Sequence, residues 1–341
     1  MQPGGDIEIT ALDVATGEGI QITSLDESPG PVRAVVWSPD GNDLAYLVQR
    51  RGSEILYRTA STGGGPAELL YQLPGRNYSL TEWSADGRFL LYYSPQLGGN
   101  VLFGLPLTGE EREPVEMVRS EFDMLGARLS PDGRLLAYRS DESGSNEIWV
   151  RPLDDTDGPG AGAWQVSTAG GLGMVSWRED GRELYYVGRD RGVMALDVET
   201  ASTVEFGEPR LLFTAPDAIP TAREPVGSIS RDGQQVMFAV PPASPPPPLQ
   251  QITLFDRHGG VVQTLGEPGG YFGAALSPDG TRVAAVRFDI ETGQSDIWSF
   301  DSATGEGTQV TDDLAWDRAP IWSPSCCRWR RSRRRCCWYR P

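Results

Sequence analysis

One motif recurs along the chain at a nearly fixed interval, and it limits the fold more than any other feature. It reads apolar residue, Ser, any residue, Asp, Gly, followed by an apolar run. Copies stand at Trp37–Gly41, Trp83–Gly87, Leu129–Gly133, Trp177–Gly181 (with Arg178 in place of Ser), Ile229–Gly233 and Leu276–Gly280. A seventh begins at Trp322 and breaks off after Pro324. The first positions lie 46, 46, 48, 52, 47 and 46 residues apart. A period of this size means that one supersecondary unit is repeated, as in arrays and propellers.

The motif reads as a turn. Ser suits the first position of a type I turn and Pro the second, and Gly supplies the left-handed conformation that closes a hairpin. The pairs Asp40–Gly41, Asp86–Gly87, Asp132–Gly133, Asp180–Gly181, Asp232–Gly233 and Asp279–Gly280 are therefore expected to be structural turns. After each comes a strand apolar on both faces, such as Leu44–Val48, Phe89–Tyr93 or Leu184–Val187, as a strand sandwiched between layers requires. Third strands follow, such as Glu147–Val150, Ile252–Phe255 and Asp296–Phe300, then short fourth strands such as Gln309–Thr311. Four strands per period predict an all-β propeller of four-stranded antiparallel blades, six near-complete and a seventh partial or composite. The propeller is expected over residues 1–324, with blades starting near 33, 80, 126, 173, 226, 273 and 319. Residues 6–24 resemble third and fourth strands, so they are expected to join the incomplete C-terminal copy and close off open edges. That last copy is expected to hold its first strand only.

These residues resemble the WD40-like, TolB-type propeller repeat, whose units run W-S-P-D-G, L-A-Y, I-W-x-x-D and T-G. The resemblance covers about residues 6–324. It implies the fold and leaves several roles open: a periplasmic TolB-like adaptor, the propeller region of a bacterial membrane Ser/Thr kinase, or the propeller of an oligopeptidase without its catalytic domain. Val193–Val198 followed by Gly207–Phe213 most resembles the kinase-associated kind.

Residues 325–341 break the pattern. This stretch holds seven Arg and no acid, whereas the whole chain has 47 acidic residues and a formal charge of −17. It also holds all four cysteines, Cys326, Cys327, Cys336 and Cys337. The tail is expected to be an aberrant segment, translated out of frame. The negative charge argues against a nucleic-acid partner. MQPGGDIEIT has neither the basic nor the apolar part of an export signal, and no run of about 18 apolar residues exists to span a bilayer. The compartment is left open, with the resemblance allowing an extracytoplasmic one.

Chemistry is hard to find. His258 is the only histidine and sits in a turn-like Asp-Arg-His-Gly-Gly stretch. There is no Gly-x-Ser-x-Gly elbow, no kinase signature set and no phosphate loop. Asp155, Asp157 and Gly158 hint at a calcium loop, but Leu153 and Trp164 fall where Asp and Glu are required. No cofactor and no metal are expected. The Trp residues at 37, 83 and 177 read as packing between blades.

Binding is expected where loops vary. In a meander, the loops between second and third strands share one edge with the links between blades, and variable loops on a rigid scaffold tend to carry function. The candidates are Arg76, Tyr78, Glu121, Phe122, Asp123, Arg223, Tyr271, Phe272, Asp317 and Arg318, with Arg189–Arg191 beside them. Aromatic and Arg residues in such loops suit a protein or peptide partner. Pro241–Pro248 reads as a stiff arm on the same edge. A monomeric, non-catalytic binding scaffold is the leading expectation. The rival is a propeller hydrolase or lyase using Glu121, Asp123 and Asp317 as acid and base.

Overall fold

The computed structural model describes residues 9–13, 19–22, 31–50, 52–63, 65–96, 99–109, 112–153, 162–200, 203–214, 227–229, 234–240, 250–289, 292, 294–311, 318–323 and 335–339. Every element among them is a strand. No helix among the described residues is long and apolar enough to cross a membrane.

In chain order, β1 (Ile9–Asp13) and β2 (Gly19–Gln21) come first, then β3 (Val32–Trp37), β4 (Asp43–Gln49), β5 (Ser53–Ala60) and β6 (Glu68–Pro74). The next repeat gives β7 (Ser79–Trp83), β8 (Phe89–Gln96), β9 (Gly99–Pro106) and β10 (Val115–Ser120). The third gives β11 (Met124–Leu129), β12 (Leu135–Ser140), β13 (Glu147–Pro152) and β14 (Trp164–Gln165). The fourth gives β15 (Gly171–Trp177), β16 (Glu183–Gly188), β17 (Gly192–Glu199), β18 (Glu205–Phe206) and β19 (Arg210–Thr214). Then come β20 (Gly227–Ile229), β21 (Gln235–Val240), β22 (Gln250–Asp256) and β23 (Val261–Leu276). The chain finishes with β24 (Arg282–Phe288), β25 (Ser295–Asp301), β26 (Gly307–Gln309), β27 (Arg318–Trp322) and β28 (Arg335–Tyr339).

The second strands are the most buried. Five successive residues of β4 and all six of β16 are inaccessible to solvent. Their uniform apolarity, read from the sequence, has this cause. The turns before them share one construction. Ser38, Ser84, Ser130 and Ser277 are buried. Each hydroxyl donates to the Asp two residues on, at 2.6–2.7 Å. Each also accepts the amide five residues on, at 2.8–2.9 Å. The Gly that closes each turn has φ between 67° and 76° at positions 41, 87, 133 and 280, a region where a side chain would be strained. Asp232 and Gly233 lie outside the described residues.

Two expectations need correction. Among the described residues five sheets have the size of a blade, in place of six near-complete blades and a seventh; four have four strands and one has five. The copies beginning at Ile229 and Leu276 share a single sheet of seven strands, β20 to β26. The cause is β23, whose 16 residues stay extended and so serve both copies.

The second correction concerns the tail. The last sheet has the order β2-β1-β28-β27, so the strand expected to be missing is present. Residues 335–339 pair with β1 from Ile9↔Tyr339 to Asp13↔Arg335, and with β27 through Trp322↔Cys336. The repeat register is kept, because Trp37 pairs Leu44, Leu129 pairs Leu136 and Trp177 pairs Leu184 in the same way. Cys336-Cys337-Trp338-Tyr339 thus stands where Leu44-Ala45-Tyr46-Leu47 stands in the first repeat. Cysteine behaves as a small apolar residue, and Trp and Tyr favour strands. The strand was missed because it arrives several residues later than the repeat spacing dictates.

The chain forms two compact units. One comprises Met1–Leu80, Met237–Leu254 and Val261–Pro341. Its cores gather Ile9, Val35, Trp37, Leu44, Tyr46 and Tyr57 in one cluster and Leu254, Tyr271, Val283 and Phe300 in another. The other unit comprises Thr81–Val236 and Phe255–Gly260. It is built on Leu91, Tyr93, Leu102, Met124 and Tyr138, and on Ile148, Val150, Trp177, Leu184 and Tyr186. Tryptophans join successive repeats, since the Trp177 indole donates to the Arg128 carbonyl at 3.1 Å and Trp322 to the Ala275 carbonyl at 2.8 Å. Trp83 instead donates to Gly87 of its own turn, at 3.3 Å.

Ending the chain after Arg334 removes the strand between β1 and β27. The amides of Ile9–Asp13 are then expected to exchange about tenfold faster or more, and the exposed edges to promote self-association on gel filtration. Unchanged protection in β1 would show that β28 does not hold it.

Candidate functional site

Within each unit, the second-to-third-strand loops and the inter-repeat links are held by acidic side chains and backbone contacts. In the unit containing residues 81–236, Asp141 follows β12 and its Oδ1 accepts the Asp123 amide at 2.9 Å, from the link before β11. The next link meets the loop after β16, where the Arg189 amide reaches the Gly170 carbonyl at 3.2 Å. Glu147 is buried and holds this link from within. Its carboxylate accepts the Gly170 amide at 3.0 Å and the Ser167 hydroxyl at 2.5 Å. In the other unit the buried Glu54 accepts the amides of Asn77 and Tyr78 at 3.4 and 2.9 Å. The sequence reading passed over Glu54 and Glu147. Their one local signal was an acidic residue before the Ile of each third strand, as in Glu54-Ile55, Glu147-Ile148 and Asp296-Ile297.

The candidate residues fall into distinct settings. Glu121, Phe122 and Asp123 are all exposed on one link, with Phe122 at 44% exposure. The Phe122 amide donates to the Ser120 hydroxyl at 3.0 Å, so with the Asp141 contact the link is tied at two points. Arg76 is exposed, whereas Tyr78 is half-buried and donates its hydroxyl to the Pro74 carbonyl at 2.5 Å. Tyr271 is buried, packs edge-on against Phe300 at 5.9 Å and donates to the Glu267 carbonyl at 2.7 Å. Its neighbour Phe272 faces solvent. Of this pair, only Phe272 is available to a partner. Arg318 opens β27, while Arg223, Asp317 and Pro241–Pro248 lie outside the described residues. Asn77, on a link of one unit, and Arg191, on a loop of the other, have φ of 69° and 61°. Such left-handed conformations are uncommon for residues other than glycine and concentrate at functional sites.

Two further clusters were not foreseen. Glu183, buried at the start of β16, accepts from Arg178 at 2.9 Å, Arg257 at 3.0 Å and the Tyr185 hydroxyl at 2.6 Å, and also from Arg210. Desolvation, then the neighbouring charges of Arg257 and Arg178, holds the Arg210 guanidinium below its ordinary pKa. Arg178 also grips Asp180 and so keeps that carboxyl low, replacing the Ser of the other turns. The second cluster joins first strands. Glu82 on β7 accepts the Leu129 amide at 2.6 Å. Burial raises its pKa, against the opposing pull of Arg128 and that amide. Tyr93 beside it accepts the Ala127 amide at 2.9 Å, and burial pushes its hydroxyl upward. His258 is a turn residue, as expected, with its amide on Asp256 Oδ1 at 2.8 Å. A cleft lined by Ser84, Phe89, Met117, Leu129 and Leu153 encloses about 30 Å³. That is room for a water or two, far below the roughly 300 Å³ at which small-molecule pockets begin.

With this geometry in view, the comparisons with known proteins are informative about architecture. No protein-family profile matches the chain, and no curated protein matches it significantly. Solved structures do. TolB from Acinetobacter baumannii aligns over 76% of this chain at 19% identity and a TM-score of 0.50. Prolyl oligopeptidase B from Galerina marginata aligns over 89% at 15% identity and a TM-score of 0.60. The fold is a β-propeller. A protein assigned as TolB from Agrobacterium tumefaciens matches over 99% of both chains, at 17% identity and a TM-score of 0.50. The propeller spans 63% of the Acinetobacter TolB and 47% of the oligopeptidase.

Two outcomes follow for this propeller. Because the Glu82 carboxyl is raised, the unfolded chain ionises first as pH climbs, and the native state loses stability through that window. Glu82→Gln should therefore melt above the wild type at about pH 8, with the gap closing near pH 4. A gap independent of pH would refute the assignment. Tyr271→Ala should cost about 3 kcal/mol in denaturant unfolding, and Phe272→Ala less than about 1. Equal costs would contradict their different burial.

Proposed function

We propose that this β-propeller is a non-catalytic scaffold that binds a protein or peptide through the edge formed by its inter-repeat links and second-to-third-strand loops. The observation that supports this most is Phe122. It is a large aromatic left 44% exposed on a link tied down at both flanking amides. Exposed aromatics on rigid supports lose little freedom on binding and are frequent interface anchors. In the other unit, Arg76 on the link after β6, Phe272 within β23 and Arg318 at the start of β27 are proposed as contacts of their own.

The β17–β19 region, with Val193–Val198 and Gly207–Phe213, is the basis for a finer reading in which the propeller is the sensing region of a larger bacterial protein such as a membrane Ser/Thr kinase. Sequencing the gene upstream of Met1 tests it. A kinase domain and membrane segment in frame would support it, and a stop codon directly upstream would end it.

The binding reading is tested by panning a displayed library of random 12-residue peptides on the purified chain. Enriched peptides are expected to bind Phe122→Ala about tenfold more weakly or worse. Leu211→Ala, an exposed apolar change on β19, should bind as the wild type does. Failure to enrich any sequence, or binding indifferent to Phe122, would overturn the assignment of this edge.

A further inference from the structure

The repeat motif sets a chemically fragile bond at its turns. Asp-Gly is the aspartyl bond most prone to rearrange unaided, because glycine has no side chain to shield its amide nitrogen. That nitrogen attacks the side-chain carboxyl carbon of the aspartate. A C–N bond forms and the carboxyl loses water, giving a cyclic succinimide. Water then opens the ring at either carbonyl. One opening restores aspartate, and the other gives isoaspartate, whose main chain runs through the side chain. Water leaves and water returns, so no other reactant is needed. Five such bonds lie in described turns, at Asp40–Gly41, Asp86–Gly87, Asp132–Gly133, Asp180–Gly181 and Asp279–Gly280. Asp157–Gly158 and Asp232–Gly233 lie outside the described residues.

In all five turns the glycine amide is engaged, donating to the carbonyl of the residue three before it at 2.8–2.9 Å. Attack therefore requires the turn to open and the carboxylate to leave its donors. Those donors differ. The Asn42 side chain grips the second oxygen of Asp40 at 2.8 Å, and the Arg88 guanidinium grips that of Asp86 at 2.5 Å. Arg178 holds both oxygens of Asp180, at 2.7 and 2.8 Å. Asp279 accepts the Thr281 hydroxyl at 2.8 Å as well as the Thr281 amide. Asp132 accepts the Ser130 hydroxyl at 2.6 Å and the Arg134 amide at 3.1 Å, both on Oδ1. Its Oδ2 stands 4.0 Å from Arg134 Nε, beyond hydrogen-bond range, and the Arg134 side chain is 72% exposed. The glycine carbonyls differ in the same sense. Gly41 and Gly280 accept the buried hydroxyls of Ser61 and Ser302, and Gly87 accepts the Trp83 indole. Among the described residues no side chain donates to the Gly133 carbonyl.

We propose that Asp132–Gly133 is the first of these five turns to form isoaspartate in the folded protein, and that the additional grips on the other four aspartates delay the reaction there. Isoaspartate at this point adds a carbon to the main chain between Ser130 and Leu135. The Ser130 hydroxyl, which accepts the Leu135 amide at 2.9 Å, then loses the spacing that sets β12 against β11.

Incubating the full chain in mildly acidic heavy-oxygen water tests this, because each passage through the succinimide leaves one labelled oxygen behind. Trypsin releases Leu129–Arg134 as one peptide, and each of the other four turns on a peptide of its own, for mass spectrometry. The 129–134 peptide is expected to gain label about tenfold faster than the other four, the factor that follows from one charge-assisted hydrogen bond. In urea, where no turn is held, the five should label alike. Arg134→Asn supplies the side chain that grips Asp40 from position 42, and it should slow labelling at Asp132 to the rate at Asp40. Asn42→Ala should speed labelling at Asp40 about tenfold, and it serves if Arg134→Asn fails to fold by circular dichroism. Equal labelling of the five turns in the native chain, or earlier labelling at another of them, would overturn the proposal. So would a 129–134 peptide that stays unlabelled while the chain in urea takes up label. The same order of rates in urea would trace the difference to local sequence and overturn the role of the grips, as would variants that change nothing.

Discussion

In four of the repeats the register hangs on a hydroxyl group placed between two strands. Ser38, Ser84, Ser130 and Ser277 are buried at the point where a first strand turns into a second. Each bridges an Asp side chain and the first amide of the next strand, so the turn cannot slip without leaving a buried polar group unsatisfied. A slip of one residue would also send every side chain of the second strand to the opposite face. The cost of misregistering Leu44 or Leu135 is therefore paid twice, once in the turn and once in the core. Ser323 is buried in the same way after Trp322, and the last sheet keeps the same register even though its second strand comes from a sequence unlike the others.

The repeat made the strands and their order readable because turn chemistry is local: Ser, Pro, Asp and Gly act within five residues of one another. Long-range polar contacts were not readable for the opposite reason. Glu54 acts on amides at 77 and 78, and Glu147 on residues 167 and 170. Glu183 gathers arginines from 178, 210 and 257. Apart from Arg178 and Glu183, no short window of sequence contains both halves of these pairs. Loop positions could not separate Tyr271 from Phe272. Neighbours on a strand point to opposite faces, and only the packing of Phe300 shows which one is inside.

The acidic residues serve several distinct ends. Those of the turns are local braces, and Ser38 holds the Asp40 carboxyl below its ordinary range. Those opening third strands are buried tethers for the links. Glu183 neutralises converging guanidinium groups, which would repel one another without it. Others, Glu121 among them, are simply exposed to solvent. Net charge alone conceals this division, since a sum of −17 counts all of these groups alike.

The pairing of Ile9 with Tyr339 also has a consequence in time. β1 (Ile9–Asp13) is made long before its neighbour β28 (Arg335–Tyr339). At about 5–20 residues per second, the wait lasts tens of seconds. Throughout it β1 lacks the strand that lies between it and β27, while the repeats between them can fold through their own hairpins. Completion of this sheet thus lags behind the folding of the repeats that lie between its strands. The nascent chain spends most of its early life with an unfinished edge, the period in which a chaperone or a neighbouring copy has its best opportunity to engage it.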